Sequence, residues 1–124
     1  MRNNNPVFKI PKNNDKYFWT WHVIEKMKYY RISSSLVKRI IRHPERTEEG
    51  IALNTIASMK VSGAKRRQEV WVMYQLADSK KKETGSRYEK DGKIKIITAW
   101  RYPGESPKRN PVPIEILQEV KGLL

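Results

Sequence analysis

The sequence predicts an α+β domain: an N-terminal helical hairpin packed on a three- to four-stranded antiparallel sheet, with a short C-terminal helix. Three observations predict it. Apolar residues recur every three or four positions between Tyr17 and Ile41, the spacing of a buried helix face. They alternate in twos, or run continuously, between Leu53 and Tyr102, as strands do. Helical spacing returns after Pro113. A chain of 124 residues without an internal repeat fits one compact domain.

Residues 1–16 are rich in Asn, Lys and Pro and show no steady period, which predicts a flexible basic arm ahead of a domain over 17–124. From Tyr17 the pattern turns helical. Trp19, Val23, Met27 and Tyr30 stand four, four and three residues apart and share a face. A second helix follows "RISSS", with Leu36, Val37, Ile40 and Ile41 as its apolar stripe and Lys38, Arg39 and Arg42 directed elsewhere. Ser33 or Ser34 supplies the N-cap, its hydroxyl accepting from a free backbone N–H. Pro44 ends the helix, because the residue before a proline is driven out of the helical region.

The period then changes. Leu53, Thr55, Ala57, Met59 and Val61 alternate with Asn54, Ile56, Ser58 and Lys60, a half-buried strand. A further short strand at Arg46–Glu49 is weakly signalled. "SGAKRR" is a basic turn, and residues 69–77, "EVWVMYQLA", are apolar on both faces, which suits a central strand. The charged segment 78–92 reads as a long hairpin loop, and residues 93–102, "KIKIITAWRY", as the returning strand. Residues 110–124 form a C-terminal helical extension, with Ile114, Leu117, Val120 and Leu124 as its expected buried side. Pro113 fits the first turn of that helix, where its missing N–H does no harm.

The chain carries 26 Lys and Arg against 13 Asp and Glu, a formal charge of +13. Such an excess on a small domain points to a polyanionic partner, RNA or another nucleic acid, over the plainer reading of charge that merely aids solubility. With no cysteine there is no disulfide, no thiolate nucleophile and no Cys-based zinc site. Two histidines, His22 and His43, do not make a His-rich metal cluster, so neither metal nor cofactor is expected. No apolar run approaches the roughly 20 residues needed to span a bilayer. The opening residues also lack the apolar core of a signal peptide. A soluble cytoplasmic protein with no membrane partner is the expectation.

Candidate chemistry lies on the first helix and the last strand. At about 100° per residue, His22 sits beside the buried stripe centred on Val23, and Lys26 projects one turn later within about 40° of His22. The pair thus faces the margin where helix meets sheet. The plainer reading is a half-buried His bonded to a backbone carbonyl, with Lys26 reaching for solvent. On the last strand Arg101 points opposite to Trp100, and a guanidinium there can grip a phosphate in bidentate fashion. His22, Lys26 and Arg101 are the catalytic candidates. Metal-free RNA cleavage needs only orientation, cationic stabilisation and proton transfer, which such a set can supply. Arg66 and Arg67 of the basic turn add to the positive field, and with Arg31, Thr98 and Tyr102 they are the candidate nucleic-acid contacts. Trp21, Trp100 and Tyr102 are the expected surface rings for base stacking, Trp19 and Trp71 the expected core.

The segments "WHVIEKMKYYRISSSLVKRIIRHPE", "VWVMY" and "KIKIITAWRYPG", across about residues 19–104, resemble the small domain family allied to BrnT and RelE-type toxins. The resemblance implies a barnase–colicin–RelE-like fold of two helices on an antiparallel sheet. It also implies an RNA-directed function, with metal-independent endoribonuclease activity in some members and an acidic antitoxin protein as partner. His22 matches the family's His on the first helix, and Arg31 its Arg before the Ile-Ser turn. Thr98 and Arg101 fall on the last strand, where relatives place polar or basic residues. The chain departs from the pattern at Tyr30, where Gly is common, in its long 78–92 loop and in its C-terminal helix. Two alternatives remain: a non-catalytic nucleic-acid-binding module, and an interaction domain for an acidic protein partner.

Overall fold

The computed structural model of the protein describes residues 8–52, 54–63, 66–76 and 93–123. In chain order the elements are β1 (Tyr17–Trp19), α1 (Trp21–Tyr30), α2 (Ser34–Arg42), β2 (Arg46–Glu49), β3 (Thr55–Ser62), β4 (Gln68–Leu76), β5 (Ile94–Pro103) and α3 (Ile114–Val120). The expected α+β class is present, with a larger sheet. Five strands lie in the order β1-β5-β4-β3-β2. From β2 to β5 each strand pairs antiparallel with the next, while β1 adds to the far edge of β5 in parallel. The sheet is therefore mixed, not the three- to four-stranded antiparallel sheet expected.

The extra strand comes from Tyr17–Trp19, residues whose spacing had placed them in the first helix. Thr20 is what divides the two elements. Its backbone is extended, at φ −71° and ψ 155°, so the helix starts after it. Its hydroxyl accepts from the Val23 N–H at 3.1 Å and lies 2.9 and 3.0 Å from the carbonyls of Ile96 and Ile97. One side chain thus caps α1 and fastens it to β5.

α1 ends at Arg31, which adopts the left-handed conformation at φ 57°. There the Arg31 N–H returns to Lys28 and the Ile32 N–H to Met27 at 2.8 Å, the paired closure that satisfies the last free carbonyls of a helix. Ser33, one of the two serines expected to do so, caps α2 by accepting from Leu36 N–H at 3.1 Å. α2 stops at Arg42, two residues before Pro44.

Both faces of the sheet are covered. α1 and α2 bury Val23, Ile24, Met27, Val37 and Ile40 against Val70, Val72, Tyr74, Ile96 and Ala99. On the opposite face Val112, Ile116 and Val120 close over Met59, Trp71, Met73, Ile97 and Trp100. The buried stripe of α3 therefore differs from the one expected. Val120 is buried as expected and Leu117 is half-buried against the same core, but Ile114 is 65% exposed, because Val112 and Ile116, each four residues from the next and in line with Val120, face the sheet in its place. Leu124 lies outside the described residues, as do Leu53 and the expected 78–92 loop. Pro113 caps α3 from an extended conformation and does not enter its first turn.

The approach to α3 is pinned by Glu69, which is fully buried. Its carboxylate accepts from Trp71 Nε1 at 2.8 Å and from the backbone and hydroxyl of Ser106, with the Arg46 guanidinium 3.7 Å away. Burial alone would raise its pKa. The hydrogen bonds and the arginine charge outweigh that and hold the carboxyl below its ordinary value. Among the described residues no helix is long and apolar enough to cross a membrane.

Candidate phosphodiester site at the edge of α1

β1 pairs with β5 only over Ile94–Ile96. Beyond that point α1 takes over the edge: Thr20 reaches Ile97, His22 reaches Thr98, and Arg101 reaches back to Tyr30. A three-residue strand followed at once by a helix therefore sets the polar margin of α1 along the last strand.

His22 Nε2 lies 3.1 Å from the hydroxyl of Thr98, a fully buried residue paired with Met73 of the second core. One turn later Lys26 Nζ stands 2.6 Å from Glu119 Oε2 on α3. The two side chains expected to flank the buried stripe do so, on the side where α3 sits. Burial lowers the His22 pKa; Glu119 opposes the shift and Lys26 adds to it. The imidazole is thus neutral at neutral pH and keeps a basic nitrogen. Because a hydroxyl both donates and accepts, Thr98 holds either tautomer.

Lys26 also lies 5.6 and 5.9 Å from the ring centres of Tyr29 and Tyr30, within cation–π reach. The Tyr30 phenol is raised by its own burial, against the pull of Lys26, and stays protonated.

Arg101 serves a different end of the helix. Its Nε donates to the Tyr30 carbonyl at 2.7 Å, one terminal nitrogen to the Arg31 carbonyl at 3.2 Å, and the other to Gln68 Oε1 at 3.0 Å. It pairs with Val70 of the first core, so it leaves β5 on the opposite face from Thr98. Three residues separate them, about 10 Å of strand.

The candidates therefore form two groups. His22, Thr98 and Lys26 gather beside Glu119. Arg101 joins Arg31, which is exposed, near the basic turn: the Gly104 N–H donates to the Arg67 carbonyl at 3.0 Å. Arg66 is exposed, and the Arg67 guanidinium lies 3.4 Å from Glu69. Half-buried Tyr102 borders, with Lys26 and Arg101, a groove of about 690 Å³ that also contains Glu115 and Glu119. Its charges are balanced. His22 borders a separate cleft of about 380 Å³.

Of the rings expected at the surface, Trp21 is 74% exposed. Trp100 is not a surface ring. It is fully buried and stacked on Trp71 at 5.8 Å and 5°, because α3 and the segment before it cover the face that the sequence left open. Glu119 escaped the sequence reading for the same reason: nothing in its spacing signals that α3 folds back against α1. No protein-family model, curated protein or solved structure matches the chain.

Proposed function

We propose that the chain is an RNA-directed protein of the RelE/BrnT kind, whose α1 edge takes a phosphodiester and whose His22 promotes metal-independent strand cleavage. The observation that carries this reading is the half-buried His22 imidazole held by Thr98 beside Lys26, on a chain of charge +13. The order of two helices followed by four antiparallel strands supports the family likeness.

In the reaction, His22 takes the proton of a ribose 2′-hydroxyl as the 2′-oxygen attacks the adjacent phosphorus. The bond to the 5′-oxygen breaks, that oxygen takes a proton from water, and a 2′,3′-cyclic phosphate remains. Lys26, turned from Glu119 to the substrate, offsets the charge gathering on the phosphoryl oxygens. Thr98 orients His22. Arg101 is a positioning residue that holds the end of α1 on β5. Arg31, Arg66 and Arg67 hold flanking phosphates, and Tyr102 lines the groove it shares with Lys26 and Arg101. An acidic antitoxin would cover the same positive surface, and the compartment is the cytoplasm.

A second reading, RNA binding without cleavage, is favoured by one specific pair of facts: Lys26 is already paired with Glu119, and every nitrogen of the Arg101 guanidinium has a protein acceptor. Incubating the protein with RNA in chelator, beside His22→Ala, separates the two. Cleavage that drops by about 10²- to 10⁴-fold in the variant, with RNA binding retained, supports catalysis. Intact RNA with salt-sensitive binding assigns the second reading, and the absence of binding overturns both.

A further inference from the structure

The cleft beside His22 differs in character from the balanced groove at the other end of α1. Its walls are Ile10, Pro11, Phe18, Trp21 and Leu123, with Asn13 and His22 at the margin and, among the described residues, no acidic side chain in its lining. At about 380 Å³ it lies at the small end of the range for ligand pockets. Ile10 and Trp21 are 53% and 74% exposed, so two large apolar side chains stand open to solvent together. Exposed Lys9 and Lys12 are chain neighbours of the lining residues Ile10, Pro11 and Asn13, against a single nearby acid in that segment, Asp15. The first turn of α1 alongside carries no acidic residue, so the helix dipole attracts an anion there. An aromatic wall bounded by lysines is the arrangement that binds single-stranded nucleic acid, rings stacking on bases while cations follow the phosphates. Charge complementarity thus selects a polyanion with planar apolar groups.

We infer that this cleft takes one unpaired RNA base, stacked on the Trp21 indole, with its phosphates on Lys9 and Lys12. The inference rests on the RNA-directed reading and adds a base-recognition pocket next to His22. Discrimination then falls on unpaired bases, since a base held in a duplex cannot turn its face to Trp21.

The chain offers a selective reporter. Of its four tryptophans, Trp19, Trp71 and Trp100 are buried and only Trp21 is exposed, so quenching of accessible indole fluorescence reports on this cleft. The test compares unlabelled oligoadenylate, an abasic ribose–phosphate strand of the same length, and duplex RNA, each titrated into the full chain at one ionic strength. Oligoadenylate is expected to quench the Trp21 emission. The abasic and duplex strands bind through charge but leave the emission unchanged. Trp21→Ala, at a position too exposed to threaten folding, is expected to weaken oligoadenylate binding about tenfold and leave abasic-strand binding untouched, with Trp21→Phe restoring part of the loss. Oligoadenylate that binds without quenching, or an abasic strand that quenches equally, overturns the base pocket while leaving RNA binding intact. Failure of every strand to bind overturns the RNA-directed reading itself.

Discussion

The behaviour of single residues follows from what each one touches. Burial holds His22 below its ordinary pKa, so the folded chain takes up that proton less readily than the unfolded chain. The groups facing it are Glu119 and Lys26, and they act in opposite senses. Stability from this site is therefore complete above the unfolded value of about 6.5 and is lost as pH falls through the lower folded value. Urea midpoints are expected to drop more for the wild type than for His22→Gln between about pH 7 and 5; parallel curves would show that His22 does not titrate with folding. Glu69, depressed through its hydrogen bonds, adds a further loss below its unfolded value of about 4.3, equal in both proteins. Arg31 sets a cost to the fold against its proposed role in RNA binding. A non-glycine residue in the left-handed region costs about 1–2 kcal/mol, yet the chain keeps a cation at that turn. Arg31→Gly is expected to raise unfolding stability by roughly 0.5–1 kcal/mol, once the freedom of unfolded glycine is set against the gain. It is also expected to weaken RNA binding, and both effects can be measured on one preparation. The polar margin holding His22 and Lys26 was legible from helical geometry, because both lie within a turn of the buried stripe. Their partners Thr98 and Glu119 are more than seventy residues away and were not paired with them by any spacing.

At the scale of elements, β5 is the strand on which the site depends. It is central to the sheet along Ile94–Ile96 and becomes an edge covered by α1 thereafter. Arg101 closes that cover by accepting no substitute geometry: three donors in a fixed planar fork meet two helix-end carbonyls and Gln68. Arg101→Lys is expected to cost about 1–3 kcal/mol in urea unfolding, since a single ammonium cannot reach all three acceptors. An unchanged midpoint would remove Arg101 from its positioning role. Glu119→Gln is expected to leave stability within about 1 kcal/mol, as partly exposed pairs contribute little, and to strengthen RNA binding by freeing Lys26; tighter binding in a titration checks it. The strands β3 to β5 were legible because alternation and a two-faced apolar run survive any context, whereas β2, with no apolar residue, was only weakly signalled. β1 was not, because Trp19 stands four residues before Val23 and so mimics a helical turn. Thr20 is a good cap, but Val23 stands where the Glu or Gln of a capping box would have marked the boundary. The stripe of α3 was misread by the same kind of accident, two overlapping sets of apolar spacings in a seven-residue helix.

Over the whole molecule, charge and topology divide the surface. The two apolar layers bury the sheet on both faces, so the proposal places a polyanion along the α1–β5 edge and its ends, not on an open sheet. Counterion release makes such binding strongly salt-dependent, with log affinity falling against log salt by about 0.7 per phosphate held on a single strand. A flat dependence in a binding titration would count against the +13 charge as the source of affinity. The chain's two histidines report directly where on the molecule the proposed RNA strand lies. His22 sits at the α1 edge, while His43 is exposed where α2 ends. Imidazole nitrogen–proton correlation spectra recorded during titration with single-stranded RNA are expected to show the His22 signals moving and those of His43 fixed. Equal movement of both, or movement of His43 alone, would place the RNA elsewhere.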